Sequence, residues 1–139
     1  LELKPDRESA WYNKGLVLDN LERYPEAIAA YDKALELKPD RVDAWYNKGN
    51  VLYDLERYPE ALAAYDKALE FQPNDDNLWY NKACCYALLG NVDLALENLR
   101  VAINLNLECI ESAKNDSDFE IIRANESFRG LIADNNQQV

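Results

Sequence analysis

Histidine and methionine are missing from these 139 residues, and glycine occurs only four times. Without histidine the commonest general base and metal ligand is gone. Four scattered glycines form no phosphate-cradling loop. Cysteine is limited to Cys84, Cys85 and Cys109. An odd number with two adjacent is a poor disulfide framework, and the pair lacks the two-residue spacer of a redox or zinc motif. This usage suits a reducing compartment, and the expectation is a cytoplasmic protein with no metal and no cofactor. Basic residues are outnumbered 15 to 26, for a net charge of −11. That balance argues against nucleic acid and anionic membranes, both of which require basic surface. It favours a neutral or basic protein partner, unless the acidity serves only solubility. No run approaches the ~18 apolar residues of a membrane span, and no signal peptide opens the chain. The acids are spread along the chain rather than gathered, so the reading is not an enzyme.

What is present is repetition. Ala10-Trp11-Tyr12-Asn13-Lys14-Gly15 returns as Ala44-Trp45-Tyr46-Asn47-Lys48-Gly49 and again as Leu78-Trp79-Tyr80-Asn81-Lys82-Ala83, always 34 residues on. The second half of the unit repeats too: Tyr31-Asp32-Lys33-Ala34-Leu35-Glu36 becomes Tyr65-Asp66-Lys67-Ala68-Leu69-Glu70. A fixed period of this length indicates stacked units, none able to bury its apolar face alone. Within a unit the spacing is helical. Trp11, Gly15 and Leu18 share one face, and Ala27, Tyr31, Ala34 and Leu35 form a matching face on a second helix. Pro25 suits a first helical position, where a missing N–H is harmless, while Pro39 and Pro73 stop the second helix. Gly15 and Gly49 each cost roughly 1 kcal/mol against alanine in a helix interior, which makes sense where a neighbouring helix crosses closely.

Trp-x-x-x-Gly followed by Ala-x-x-x-Tyr and a terminal proline, in 34 residues, resembles the tetratricopeptide repeat. The departures are Lys14, Lys48 and Lys82 where leucine is frequent, and Glu22 and Glu56 at an inter-helix turn where glycine is common; only Gly90 follows that preference. In the third unit Leu99 replaces the second helix's aromatic and Leu107 the final proline. The resemblance implies an all-α fold, a right-handed superhelical solenoid of antiparallel helix pairs. Its first helices would line a concave groove and its second helices the convex back. The divisions expected are the end of a preceding repeat at 1–7, repeats at 8–41, 42–75 and 76–109, capping helices at 110–133 and a frayed tail at 134–139. Leu1-Glu2-Leu3-Lys4-Pro5-Asp6 matches residues 35–40, so the chain reads as a fragment starting in the last turn of an earlier repeat. In the C-terminal segment Asp116 or Ser117 can cap a short helix bearing Phe119 and Ile122, and Asn125 another bearing Phe128.

The family geometry places Ser9, Tyr12, Asn13, Leu16 and Asp19 on the groove in the first unit. Asp43, Tyr46, Asn47, Asn50, Tyr53 and Asp54 follow in the second, then Asn77, Tyr80, Asn81 and Cys84 in the third. Tyrosine and asparagine ladders suit peptide recognition, and the carboxylates a basic ligand. The same ladders suit packing between adjacent first helices equally well. Positions that vary between units, such as Leu16, Asn50 and Cys84, are the stronger specificity candidates. Members of the family that grip acidic chaperone tails use a clamp of lysines, asparagines and an arginine. Here Tyr12, Leu16, Asn77 and Asn81 stand in most of the clamp positions and only Asn47 fits, so such tails are not expected. The implied function is an adaptor for a partner's peptide or helix. The alternative is an assembly module, a weak homo-oligomer formed through exposed ends.

Overall fold

A computed structural model describes residues 7–133; the expected stub at 1–6 and tail at 134–139 lie outside the described residues. Every regular element among the described residues is helical. The chain divides into two compact units, Leu1–Pro73 and Asn74–Val139.

The first unit holds α1 (Arg7–Asn20), α2 (Tyr24–Leu37), α3 (Val42–Asp54) and α4 (Tyr58–Phe71). α1 packs on α2 and α3 on α4, with α2 also against α3. Pro25 and Pro59 stand second in α2 and α4, one place further in than the sequence suggested, because Tyr24 and Tyr58 open those helices. That position leaves the Pro argument intact, since the first four N–H groups lack helical partners. The turns before them place Glu22 and Glu56 at φ 58° and 59°, the left-handed region. Here glutamates do what glycine does at Gly90, φ 78°.

The close crossing is literal. A Cβ built on Gly15 would stand 2.5 Å from Tyr31 Cε1, and one on Gly49 2.5 Å from Tyr65 Cε1. Both rings are fully buried. Around Tyr31 gather Ala27, Ala34, Ala44 and Val51, so the first face of α3 completes the core begun by α1 and α2. An ion pair reinforces that junction. Arg41 Nη1 donates to both Glu8 carboxylate oxygens at 2.7 Å, and its guanidinium lies 3.9 Å above the Tyr12 ring. Lys48 pairs with Asp32 at 2.7 Å, and Trp45 Nε1 donates to the Pro39 carbonyl at 2.8 Å.

The second unit holds α5 (Asp76–Leu88), α6 (Val92–Leu105), α7 (Glu108–Asn115), a short 3₁₀ helix (Ser117–Ile122) and α8 (Glu126–Ala133). Asp75 and Asn91 cap α5 and α6 through their side chains. Gly15 and Tyr31 have Ala83 and Leu99 as third-repeat counterparts, both fully buried. The 3₁₀ helix packs on α5, and α7 and α8 on α6. Asp116 caps the 3₁₀ helix and the Asn125 side chain accepts from the Phe128 amide at 3.0 Å. Phe119 and Phe128, fully buried, stack 5.4 Å apart.

Candidate functional site

The proposed groove residues of the first unit fall into three groups. Tyr12 is 8 % exposed and its hydroxyl accepts from Asn47 Nδ2 at 2.8 Å, so this pair ties α1 to α3. Tyr12 is thus withdrawn from the surface assigned to it: Arg41 covers one side of its ring, and Tyr31 lies 5.9 Å away. Leu16, Tyr46, Asn50 and Tyr53 are half-buried and engaged. Leu16 leans on the core, and Tyr46 lies 6.3 Å from Tyr65. Asn50 Oδ1 accepts from the Tyr65 hydroxyl at 2.6 Å, and Tyr53 meets Tyr58 edge-on at 5.4 Å. The Tyr53 hydroxyl is buried and makes no hydrogen bond among the described residues. Ser9 is half-buried beside Glu8 and Arg41.

The third group presents polar surface. Asn13, Asp43 and Asp54 are exposed, and Asp19 is half-buried. Asp43 accepts from Arg41 Nε at 2.9 Å. Asp19 and Asp54 are different in kind. Partial burial raises the Asp54 carboxyl above its ordinary range, and the negative charge of Asp19 raises it further. Burial likewise raises Asp19, against a hydrogen bond from the Tyr31 hydroxyl at 3.3 Å that lowers it. The Tyr24 phenol is raised by burial and then by Asp54, Glu22 and Asp19. Like charges on α1 and α3 therefore face a common region. Sequence reasoning named both aspartates but not Tyr24 or Glu22, which lie in the turn and the start of α2.

In the second unit the picture inverts. Asn77 is exposed and Asn81 half-buried, but Cys84 is 3 % exposed. The Tyr80 hydroxyl donates to Asp116 Oδ2 at 2.9 Å, the Cys84 thiol approaches the same oxygen at 3.8 Å, and the Tyr80 ring meets Phe119 edge-on at 5.7 Å. The chain's own C-terminal segment occupies this face, so Cys84 offers no surface to a ligand and Tyr80 only part of one. Asp116 satisfies the Tyr80 hydroxyl here as Asn47 satisfies that of Tyr12 in the first unit. Composition around residue 116 gave the cap but not its partner.

Chemistry at the thiols is quenched. Burial pushes Cys85 up to about 12 and Cys109 to about 11, and Cys84 is raised by burial and then by Asp116. Such thiols are protonated near neutral pH and are poor nucleophiles and ligands. Cys84, Asp116 and Asp118 do lie with metal-ligand spacing. The hydrogen bonds from Tyr80, Cys84 and the Asp118 amide to Asp116 account for that grouping.

The family description "Tetratricopeptide repeat" matches residues 1–42, 12–76 and 46–106. The chain belongs to the tetratricopeptide repeat family. Its fold is accordingly an all-α array of helical repeats, as the geometry within each unit shows. YrrB, described as a TPR protein with an unusual peptide-binding site, is 27% identical, with a TM-score of 0.71 over 78% of this chain and 58% of its own. A MamA RS-1 double mutant is 25% identical, with a TM-score of 0.73 over 97% of this chain and 79% of its own. The N-terminal domain of stress-induced protein-1 from C. elegans shares the fold at 19% identity and a TM-score of 0.71, over 77% of this chain and 91% of its own. The chain spans 60% of MamA AMB-1 and 58% of YrrB. No curated protein sequence matches significantly. Tetratricopeptide repeats are protein-interaction modules, and no helix among the described residues is long and apolar enough to cross a membrane.

Proposed function

We propose that this chain is a non-catalytic adaptor that binds a neutral or basic segment of a partner protein on the α1–α3 face of its first unit. The observation that carries the reading is the unneutralised pair Asp19 and Asp54, each raised by burial and Asp54 further by Asp19. A lysine or arginine between them relieves like-charge repulsion and gains charge-assisted hydrogen bonds. Asn13 and the half-buried Tyr46 supply a donor, an acceptor and flat apolar area on the same unit. The peptide-binding site ascribed to YrrB supports the class of ligand. An acidic ligand is disfavoured by the same carboxylates, which agrees with the missing chaperone clamp. The raised, buried and free thiols fit a reducing, cytoplasmic setting.

The test is affinity capture from native lysate with wild type and Asp19→Asn/Asp54→Asn. This variant keeps side-chain volume, and circular dichroism checks its folding. A protein held by the wild type, released by moderate salt and lost with the variant supports the reading. Equal capture by both proteins moves binding off this face.

A further inference from the structure

Carboxylates stand at both ends of one stripe of α3, and in neither sibling helix. Asp43, Asn47, Asn50 and Asp54 recur at offsets of four, three and four, which keeps them on one face. Asp43 and Asp54 are exposed, while Tyr46, Asn47 and Asn50 between them are half-buried. The two end positions read Ser9 and Asn20 in α1, and Asn77 and Leu88 in α5. Helix pairs of this kind therefore form with neutral residues at both places, and only α3 charges them. Asp54 lies in the last turn, where a carboxylate opposes the helix dipole, and Asp19 adds to its negative charge. At the other end Glu8 and Asp43 share the single guanidinium of Arg41, at 2.7 and 2.9 Å, so one negative charge is left over. The Asp43 side chain keeps 54% of its surface open to solvent.

Resting on the adaptor role proposed above, we infer that the partner segment lies extended along this stripe and carries two basic residues about four to six positions apart, one for each end. Asp54 follows Asp43 by 11 residues, and a rise of ~1.5 Å per residue sets their backbones ~16 Å apart. An extended chain advances ~3.3 Å per residue, so ~5 residues cover that distance. A helical partner needs an apolar stripe to lie against, whereas the middle of this one offers Tyr46, Asn47 and Asn50 and no aliphatic side chain. Amide-bearing side chains suit the polar backbone of an extended segment. Asp43 thereby joins Asp19 and Asp54 as a specificity-determining residue, and it converts a general preference for positive charge into a preference for spacing.

The test uses end-blocked, dye-labelled peptides of one composition, two lysines in a serine–alanine background, with the lysines one, four, six or ten positions apart. A control replaces both lysines with serine. All four isomers carry the same charge, so the acidity of the protein as a whole cannot rank them. Fluorescence anisotropy at low salt should show the four- or six-spaced isomer binding about 3- to 5-fold tighter than the adjacent one. Asp43→Asn and Asp54→Asn should each erase that preference. Both substitutions install the residue of a sibling helix, Asn77 and Asn20 respectively, and equal melting temperatures check the fold. Equal affinity for all isomers, or a spacing preference that survives Asp43→Asn, overturns the inference. Tightest binding at a spacing of ten, which a helix would need to cover ~15 Å, overturns it in favour of a helical partner. In these cases the adaptor reading stands if affinity still falls with Asp19→Asn/Asp54→Asn. Failure of every lysine isomer to outbind the serine control would remove both.

Discussion

Gly15→Ala in α1 should destabilise the protein, although alanine is the better helix former. The substitution itself favours the helix by roughly 1 kcal/mol. Against this, the new methyl would lie 2.5 Å from Tyr31 Cε1 and 2.6 Å from Cδ1, where ordinary contact begins at 3.4 Å. The ring must retreat by nearly an ångström. It is fully buried, with Tyr12 5.9 Å away. Overpacking of this kind costs about 1–3 kcal/mol, so the net loss is about 1 kcal/mol, or about 3 °C for a chain of this length. The sharper test is rescue. The third repeat carries Ala83 and Leu99 at these positions, so Tyr31→Leu should accommodate the methyl. Tyr31→Leu alone costs about 2–4 kcal/mol through lost ring volume. The double variant should lose less than the sum, with a coupling of about 1–2 kcal/mol. Urea denaturation of the four proteins, followed by circular dichroism, measures it. Additivity within about 0.5 kcal/mol would refute the claim that Gly15 is glycine because Tyr31 is tyrosine.

Three further outcomes are expected. Glu22→Gly with Glu56→Gly should stabilise, since each left-handed glutamate costs about 1–2 kcal/mol and glycine's unfolded freedom returns only about 0.4–1 kcal/mol. Gly90→Ala should lose a similar amount without any clash, because its added Cβ meets nothing within 4 Å; equal melting temperatures in calorimetry would contradict both. Arg41→Ala should cost about 2–3 kcal/mol, because the Glu8 side chain, 7% exposed, loses its guanidinium and Tyr12 loses its cover. Arg41→Lys should recover part of that, and a loss no larger than for an exposed pair such as Lys33–Glu36 would remove the junction's importance. Finally, the raised thiols of Cys85 and Cys109 have folded values of about 12 and about 11 against 9.0. Their contribution is fully present below pH 9 and lost as pH rises through the folded values. Urea midpoints should therefore decline from pH 9 upward, less steeply in Cys85→Ala, and an identical slope in that variant would exclude the thiol as a cause.

Much of the architecture was legible because one physical constraint was written out three times. The helix pairs, the glycine–aromatic crossing and the stop prolines follow from spacing alone, since a helix face recurs at offsets of three and four. The site was less legible. Tyr12, Asn47 and Asp19 were readable as groove positions, and packing was an equal reading of the tyrosine and asparagine ladders, but the choice between the two was not legible. Whether Tyr12 faces a ligand or a neighbouring asparagine depends on tertiary distances of a few ångströms. The burial of Cys84 was equally hidden, because it arises from Asp116, 32 residues on and outside the repeat. Glu22 and Glu56 looked like a departure from the turn's preference; the backbone kept the left-handed turn and accepted the strain.

The third repeat shows how identical folding rules permit different surfaces. Gly–Tyr becomes Ala–Leu at the crossing, which preserves filled volume. Arg41 facing Glu8 has Cys109 facing Asp76 as its counterpart, with the thiol 3.9 Å from the carboxylate. That exchange removes the guanidinium that held the first junction, and Asn106 Nδ2 takes over by donating to Asp76 at 3.1 Å. Each change is accompanied by a compensating one inside the same unit, which is what packing demands. Asp54 has no such compensation. It replaces the Asn20 of the first repeat with a carboxylate near Asp19, and no ion pair of the described residues neutralises either. A substitution that packing does not require and does not offset is the place to look for a partner. That contrast, rather than the tyrosine ladder, directs the binding experiment to Asp19 and Asp54.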